Sequence, residues 1–278
     1  MAKPATDLKE HQDTAALLAA GAALGEPRSS PLADGVPYAV LPPGYTLQAI
    51  DNQFLRPHRK SGTVKLHDEA SFVAYFQRHQ ADSVIYGSLR PAQFVAVFND
   101  HTAKEPGFRD HRAVFVCAHS DEWSAWHGKH KQKMTQIEFA LFVEDNLPDF
   151  ESPAGAAMLE MAVNFRVAER VSFDKAVRLT DGHTEFTYHR LMEGSAGRGD
   201  AGKIKIPEQF TLRIPVFSGL EATTYPIQAR LRYRLQEGQL SIWYELIRPQ
   251  KVLEVAFKDI WQRIEQATGT KILYGSPE

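Results

Sequence analysis

The strongest constraint on the fold is the period-two alternation of residues 226–247, which is interrupted at Glu237-Gly238. Alternating apolar and polar residues are typical of strands with one buried face, and a dipeptide ending in glycine is typical of a tight hairpin turn. If this dipeptide is the turn, the register of the two strands follows by counting. The predicted facing pairs are Leu235 with Leu240, Tyr233 with Ile242, Leu231 with Tyr244, Arg234 with Ser241, Arg232 with Trp243, and Arg230 with Glu245.

This register places three arginines on one side of the predicted hairpin and aliphatic or aromatic residues on the other. Arg230, Arg232 and Arg234 surround Trp243 in the predicted register. We expect Arg232 to lie over the indole in a cation–π contact and Arg230 to pair with Glu245 across the strands. The polar side of the hairpin is therefore predicted to be a basic stripe around an aromatic ring.

A basic stripe of this kind has two interpretations. Arginines beside an indole are typical of surfaces that bind single-stranded nucleic acid, because arginine contacts phosphates and the ring stacks on bases. Arg213, in the preceding predicted strand, is expected to point the same way and to extend the stripe. The alternative is a solvated sheet face or a contact between subunits, because tryptophan and arginine are also enriched in protein interfaces.

The remaining periodicities predict an α+β fold. The C-terminal half is expected to be an antiparallel β-sheet packed with helices, and the N-terminal half a mixed α/β region. Predicted strands cover residues 63–67, 84–86, 94–98, 113–117, 173–179, 184–191, 210–217 and 271–274, besides the hairpin. Predicted helices cover residues 6–24, 71–80, 121–131, 135–144, 153–168 and 252–267.

Several local signals fix how these elements begin and end. Ser71 is the predicted N-cap of helix 71–80, and Ser152 caps helix 153–168 with Pro153 in its first turn. The apolar, inward side of helix 153–168 is expected to consist of Met158, Leu159, Ala162, Val163 and Phe165. Glycine-rich residues 194–202 are predicted to form a mobile loop. Residues 1–35 are expected to be a flexible helix and arm, with 36–150 and 151–278 forming one compact unit.

Composition excludes several classes of protein. The chain has 32 basic and 34 acidic residues, a net charge of −2, so any nucleic-acid binding must come from a local patch. Its one cysteine, Cys117, lies in an apolar run and is predicted to be a buried free thiol. No segment has the length of uninterrupted apolar residues that a membrane span needs, and the charged N-terminal region does not resemble a signal peptide. A cytoplasmic protein without membrane partners is expected.

The sequence offers no recognisable catalytic motif or cofactor site. Phosphate-binding loops, dinucleotide-binding turns, nucleophile elbows and cysteine metal knuckles are all missing from it. His119, Glu122 and His127 are weak metal-ligand candidates, because they lie on one segment without a recognised ligand spacing. The carboxylates of residues 144–149 are better explained as the boundary between two helices. We therefore predict no catalytic residues and no cofactor, and expect a protein that is not an enzyme.

Four stretches together resemble a phage and prophage protein family, domain of unknown function 2303. They are Val40-Leu-Pro-Pro-Gly-Tyr-Thr-Leu, Asp110-His-Arg-Ala, Glu122-Trp with Trp126, and Glu138-Phe-Ala-Leu-Phe-Val-Glu-Asp-Asn. The resemblance runs from about residue 36 to the C-terminus. It implies a gene carried by tailed phages or prophages and expressed in a bacterial cytoplasm, and it implies no catalytic residues.

Two main functions are compatible with these observations. The first is a non-enzymatic phage accessory protein that assembles into a homo-oligomer, since closed homo-oligomers are the commonest assemblies. The second is a single-strand nucleic-acid binding protein of phage DNA metabolism, acting through the arginine stripe. A metal-dependent hydrolase is a weaker third hypothesis.

Overall fold

The computed structural model describes residues 61–167, 171–191, 198–219 and 223–277, and a few isolated positions before residue 61. The chain divides into two units, residues 1–60 and 61–278. In the first unit, strand β1 (Arg28–Ser29) pairs antiparallel with β2 (Pro37–Tyr38). The predicted helix 6–24 and most of the proline-rich segment after it lie outside the described residues. None of the helices in the described ranges combines the length and apolarity needed to cross a bilayer.

The second unit has an α+β fold with three mostly antiparallel sheets. The first sheet contains β3 (Gly62–Leu66), β4 (Val84–Leu89), β5 (Ala92–Val97), β6 (His111–Val116) and, from the far end of the chain, β15 (Ile272–Tyr274). Their order is β15-β4-β5-β6-β3, with β15 and β3 parallel to their neighbours. The predicted strands of this region are thus confirmed, with boundaries shifted by a few residues.

Two helices bury one face of the first sheet. Helix α1 (Glu69–His79) begins at Asp68, whose carboxylate accepts from the Ser71 backbone N–H at 2.7 Å, so the prediction of Ser71 as N-cap was wrong by three residues. Helix α5 runs from Pro249 to Thr268 and ends at Gly269, the predicted stop. The aromatic rings of Phe94 and Phe257 stack with centroids 4.9 Å apart, which joins α5 to the centre of the sheet.

The main sheet has the order β7-β14-β13-β12-β8. Its strands are β7 (Met134–Thr135), β8 (Phe150–Ser152), β12 (Gln209–Pro215), β13 (Thr224–Gln236) and β14 (Gln239–Leu246). All six predicted pairs of the β13–β14 hairpin are confirmed. Glu237 and Gly238 have φ of 52° and 76°, as expected for the two residues of a type I′ turn. The turn therefore sets which residues of both strands face the core.

The core face of the main sheet is covered by two short helices, α2 (Asp121–Gly128) and α3 (Gln136–Asp145). Ser120 caps α2, and Thr135 forms a reciprocal capping box with Glu138 in α3. The indole of Trp126 is buried among aromatic rings and lies 5.2 Å from the ring of Tyr244. The helices are thus anchored on the same aliphatic and aromatic face that the hairpin register predicts.

A smaller sheet and helix α4 (Gly155–Val167) complete the unit. The sheet has the order β11-β10-β9, formed by β9 (Val171–Arg178), β10 (His183–Leu191) and β11 (Arg198–Pro207). The prediction that 194–202 is a loop was wrong for its second part, because residues 198–202 belong to β11. Gly202 lies opposite Tyr188, and an added Cβ would approach that ring to 2.2 Å, which explains a glycine within a strand. Residues 192–197 lie outside the described ranges.

Helix α4 differs from its prediction in two respects. Ser152 does not cap it, because Ser152 belongs to β8 and pairs with Thr211 in the main sheet, so the helix begins later, at Gly155. Leu159 and Val163 were expected to face the core, but they are 40% and 45% exposed. Met158, Ala162 and Phe165 are buried as predicted, and Met161, which was not predicted, completes the buried side of α4.

Candidate functional site

The second face of the main sheet is turned to water and carries the predicted arginine stripe. The side chains of Arg230, Arg232 and Arg234 are exposed, and Trp243, which faces Arg232, is half-buried. Residues that face each other across strands share one side of a sheet. Because β12 pairs Gln209 with Arg230, Arg213 lies on the same side, as expected. We call this surface, formed by β7, β14, β13 and β12, the arginine face.

The indole of Trp243 is contacted by a cation that was not predicted. Lys133 Nζ lies 5.6 Å from the centroid of the Trp243 ring. Lys133 directly precedes β7, which pairs with β14 next to Trp243. The expected cation–π contact with Arg232 was wrong, because Arg232 Nε instead lies 3.4 Å from Glu245 Oε2. Arg230 faces Glu245 as predicted, but the predicted ion pair between them was wrong, because the carboxylate binds the diagonal Arg232.

The cations of the arginine face fall into two groups. Arg213 binds Glu151 through Nε at 2.8 Å and through a second guanidinium nitrogen, and Arg232 binds Glu245. Within the described part of the chain, Lys133, Arg230 and Arg234 have no carboxylate partner. The face therefore has an excess of positive charge in a protein whose net charge is −2. Charges without a carboxylate partner attract an external anion more strongly than charges that a carboxylate already neutralises.

The arrangement can hold a polyanion and a flat ring at the same time. Arg230 and Arg234 flank Arg232 on one strand, and alternate residues of an antiparallel strand lie about 6.8 Å apart. Trp243 lies on the neighbouring strand β14, and Lys133, just before β7, lies beyond it, so the charges form a band and not an isolated pair. Such a surface matches a flexible chain with repeating negative charges and planar bases.

The histidine segment forms a row of rings that begins at His119, just before α2, and continues along α2. His119 lies 6.0 Å from Trp123, and Trp123 stacks on His127 at 5.7 Å. Burial lowers the pKa of His119, and the charge of His127 lowers it further. Among the described residues, no group of three or more histidine, cysteine, aspartate or glutamate side chains could hold a metal ion. The structure thus does not assemble His119, Glu122 and His127 into such a group.

Two other polar features of the sequence have structural explanations. Asp149, from the carboxylate cluster, accepts a hydrogen bond from the Trp126 indole N–H at 2.6 Å. Burial raises the pKa of Asp149, and the nearby charge of Glu122 raises it further. Cys117 is buried as predicted, and burial raises the pKa of its thiol to about 12. These groups stabilise the fold and do not line the arginine face.

The segments that carry the family resemblance are mostly structural. Asp110 accepts a hydrogen bond from the Asn99 side-chain amide at 2.8 Å, and Glu138 belongs to the capping box of α3. The segment beginning at Val40 lies outside the described residues. A family model described as "Uncharacterized conserved protein (DUF2303)" matches residues 10–277. No curated protein and no solved structure matches the chain.

Proposed function

The chain belongs to the DUF2303 family, whose description names no activity. From the surface of the protein we propose that the arginine face binds single-stranded nucleic acid. One observation carries the proposal. Lys133, Arg230 and Arg234 lack a carboxylate partner within the described ranges and surround Trp243 on a sheet face turned to water. The three cations supply phosphate contacts, and the indole supplies a stacking surface for a base.

A single strand fits this surface better than a duplex. Sequence in a duplex is read by elements that enter a groove, such as a helix or a two-stranded ribbon. Here the cations lie on the broad face of a sheet, with the hairpin strands β13 and β14 in its middle. Bases of a single strand are free to stack on side chains, whereas paired bases are stacked on each other. The proposed binding is consequently insensitive to sequence.

The test is the binding of a fluorescein-labelled oligothymidylate of twenty nucleotides, followed by anisotropy at 50 mM salt. Trp243→Ala removes the stacking surface and is expected to weaken binding at least tenfold, since stacking on an aromatic ring contributes about 1–3 kcal/mol per base. Lys258→Gln is the control, because Lys258 is an exposed cation on α5, outside the main sheet. Lack of binding by the unaltered protein, or equal effects of the two substitutions, contradicts the proposal.

A second candidate function, self-association, is favoured by the outer side of α4. Leu159 and Val163 lie four positions apart on one side of the helix and are 40% and 45% exposed. Leu141 of α3, which packs beside α4, is 44% exposed. We propose that a second copy of the chain covers these residues. Native mass spectrometry at micromolar concentration tests this self-association. The unaltered protein should be oligomeric and the Leu159→Lys variant monomeric, and an unaltered protein that is monomeric would refute the proposal.

Both candidate functions suit an accessory role in a phage or prophage. The resemblance of the motifs to phage and prophage proteins supports such a role, and with it a bacterial cytoplasm as the place of action. Single strands arise during replication and recombination of phage DNA, so a sequence-insensitive binder would act there without any catalytic residue of its own. We treat the nucleic-acid function as the principal proposal, because more of the described surface contributes to it.

A further inference from the structure

Strand β13 extends beyond its neighbour β12 and leaves an open edge. The pairing of β12 with β13 ends at Gln209 and Arg230, and one further backbone hydrogen bond joins Leu231 N to Glu208 O at 2.9 Å. Beyond this point β13 continues to Gln236 with β14 on its other side. Among the described residues, no strand pairs with residues 232–236 on the side that β12 vacates.

The register of the hairpin shows which backbone groups face this open edge. In a two-residue hairpin the residues that flank the turn, Gln236 and Gln239, exchange hydrogen bonds, and so do alternate pairs farther along. Arg234 and Arg232 therefore bond to β14. Tyr233 and Leu235 direct their N–H and C=O groups the opposite way, as Leu231 does. The edge thus offers two donors and two acceptors for an additional strand.

A cleft of about 460 Å³ lies along this edge. Leu231 and Tyr233 line it on the β13 side, and Arg178, Thr184 and Glu208 line it on the side of the smaller sheet. The ring of Tyr233 is 36% exposed and packs edge-on against Phe186 at 4.8 Å between centroids. This ring gives the cleft an apolar surface at the position where the backbone is unpaired.

The cleft is positively charged. Arg178, Arg230 and Arg232 all line it; Arg178 binds Glu208 and Arg232 binds Glu245, so the excess charge comes from Arg230, which has no carboxylate partner in the described ranges. An acidic occupant would complement this charge. A second copy of the same edge would not complement this charge. Antiparallel pairing centred on Tyr233 would place Arg232 of one copy beside Arg234 of the other, and like charges that face each other across strands are destabilising.

From these observations we propose that the open edge of β13 binds an extended acidic segment of a partner protein by strand addition. The residue opposite Tyr233 would exchange backbone hydrogen bonds with it and share its apolar side of the sheet. The residues before and after would face Arg232 and Arg234 and place acidic side chains on the side of the sheet that also carries Arg230. A suitable ligand therefore alternates apolar and acidic residues. The site shares arginines with the arginine face, but the backbone edge and the Tyr233 ring that it also uses take no part in the proposed nucleic-acid binding.

The test uses the full chain and a fluorescein-labelled peptide of six alternating valine and glutamate residues. In the proposed register the valine N–H groups bond to the edge, and the glutamate N–H groups point away from it. Peptides that are N-methylated at the valines should therefore bind at least tenfold more weakly. Peptides that are N-methylated at the glutamates should bind within about twofold of the unmodified peptide, because N-methylation leaves the charge unchanged. Equal affinities of the two methylated peptides would overturn the proposal.

Two substitutions at one position test the same edge from the protein side. Tyr233→Pro and Tyr233→Ala both remove the ring, but only proline also removes the N–H that faces the cleft, and proline is tolerated where that N–H is unpaired. We expect peptide binding to be lost in the first variant and largely retained in the second. Equal peptide binding by both variants, or concentration-dependent self-association abolished by Tyr233→Pro, would overturn the proposal. Oligothymidylate binding by both variants should be unchanged, which separates this proposal from the function proposed above.

Discussion

The division of the arginine face into cations with and without a carboxylate partner predicts how salt affects nucleic-acid binding. Each phosphate neutralised on a single strand contributes about 0.7 to the slope of log affinity against log salt concentration. With Lys133, Arg230 and Arg234 each contacting one phosphate, the slope of the unaltered protein should be about −2. Replacing any one of them by glutamine should reduce its magnitude by about 0.7, and replacing all three should bring it close to zero.

Arg213→Gln provides the matched control for these substitutions. It removes the same charge from the same face, but Arg213 already binds Glu151 through two guanidinium nitrogens. A phosphate would have to displace this carboxylate, and once Arg213 is removed Glu151 is left uncompensated. The magnitude of the slope should therefore change by clearly less than the value of about 0.7 that one phosphate contact contributes. The comparison separates a specific contact from the general effect of net charge, because all single variants carry the same net charge.

The measurement is an anisotropy titration of the labelled oligothymidylate at several salt concentrations between 50 and 200 mM. A slope of about −2 weakens binding roughly 20-fold over this fourfold range, whereas the triple variant should lose less than about twofold. Thermal unfolding of each variant checks that the fold is intact. If Arg213→Gln lowers the slope as much as Arg230→Gln does, or if the triple variant keeps the full slope, the assignment of free and occupied cations is incorrect.

Three further predictions concern the stability of the fold. The hydroxyl of buried Tyr244 donates to the Trp126 carbonyl at 2.6 Å, so Tyr244→Phe should lower the free energy of unfolding in urea by about 1–3 kcal/mol; no change would contradict this. Gly238→Ala places a side chain at a φ of 76° and should lower the free energy of unfolding by roughly 1–3 kcal/mol; an unchanged melting temperature would contradict this. Burial lowers the pKa of His130 from its usual 6.5, so its uncharged form stabilises the fold above that pH. The free energy of unfolding should therefore fall as the pH is lowered from 7.5 to 5.5, and His130→Asn should reduce this dependence.

The hairpin could be predicted in detail because its information is local. The alternation of side chains and the two residues at 237 and 238 determine the register without reference to the rest of the chain. All the pairings from Leu235 with Leu240 to Arg230 with Glu245 follow from that turn. The ion pairs could not be predicted from the register, because long side chains also reach diagonal neighbours. Arg232 consequently binds Glu245, which the register alone places opposite Arg230.

Contacts between distant parts of the chain could not be predicted. Lys133 contacts Trp243 because β7 pairs with β14, and the two-residue strand β7 has no periodicity by which it could be recognised. Ser152 and Pro153 carry a local helix-start signal, but Ser152 pairs with Thr211 in the main sheet, and that pairing delays the helix. In both cases an edge strand of the main sheet decides the outcome. The sequence carries no local signal for the position of Lys133, because the pairing of β7 with β14 joins distant parts of the chain.

The position of β15 has a consequence for how the protein is made. This strand pairs in parallel with β4, and α5 directly before it covers Phe94, so the first sheet needs residues near both ends of the second unit. During translation, β3 to β6 leave the ribosome long before their last partners exist. The part of their apolar face that α5 covers must therefore remain exposed, or be shielded by a chaperone, until α5 and Ile272–Tyr274 have emerged. Polypeptides whose synthesis stops before α5 should be prime targets for cellular proteases, even though they contain the complete arginine face.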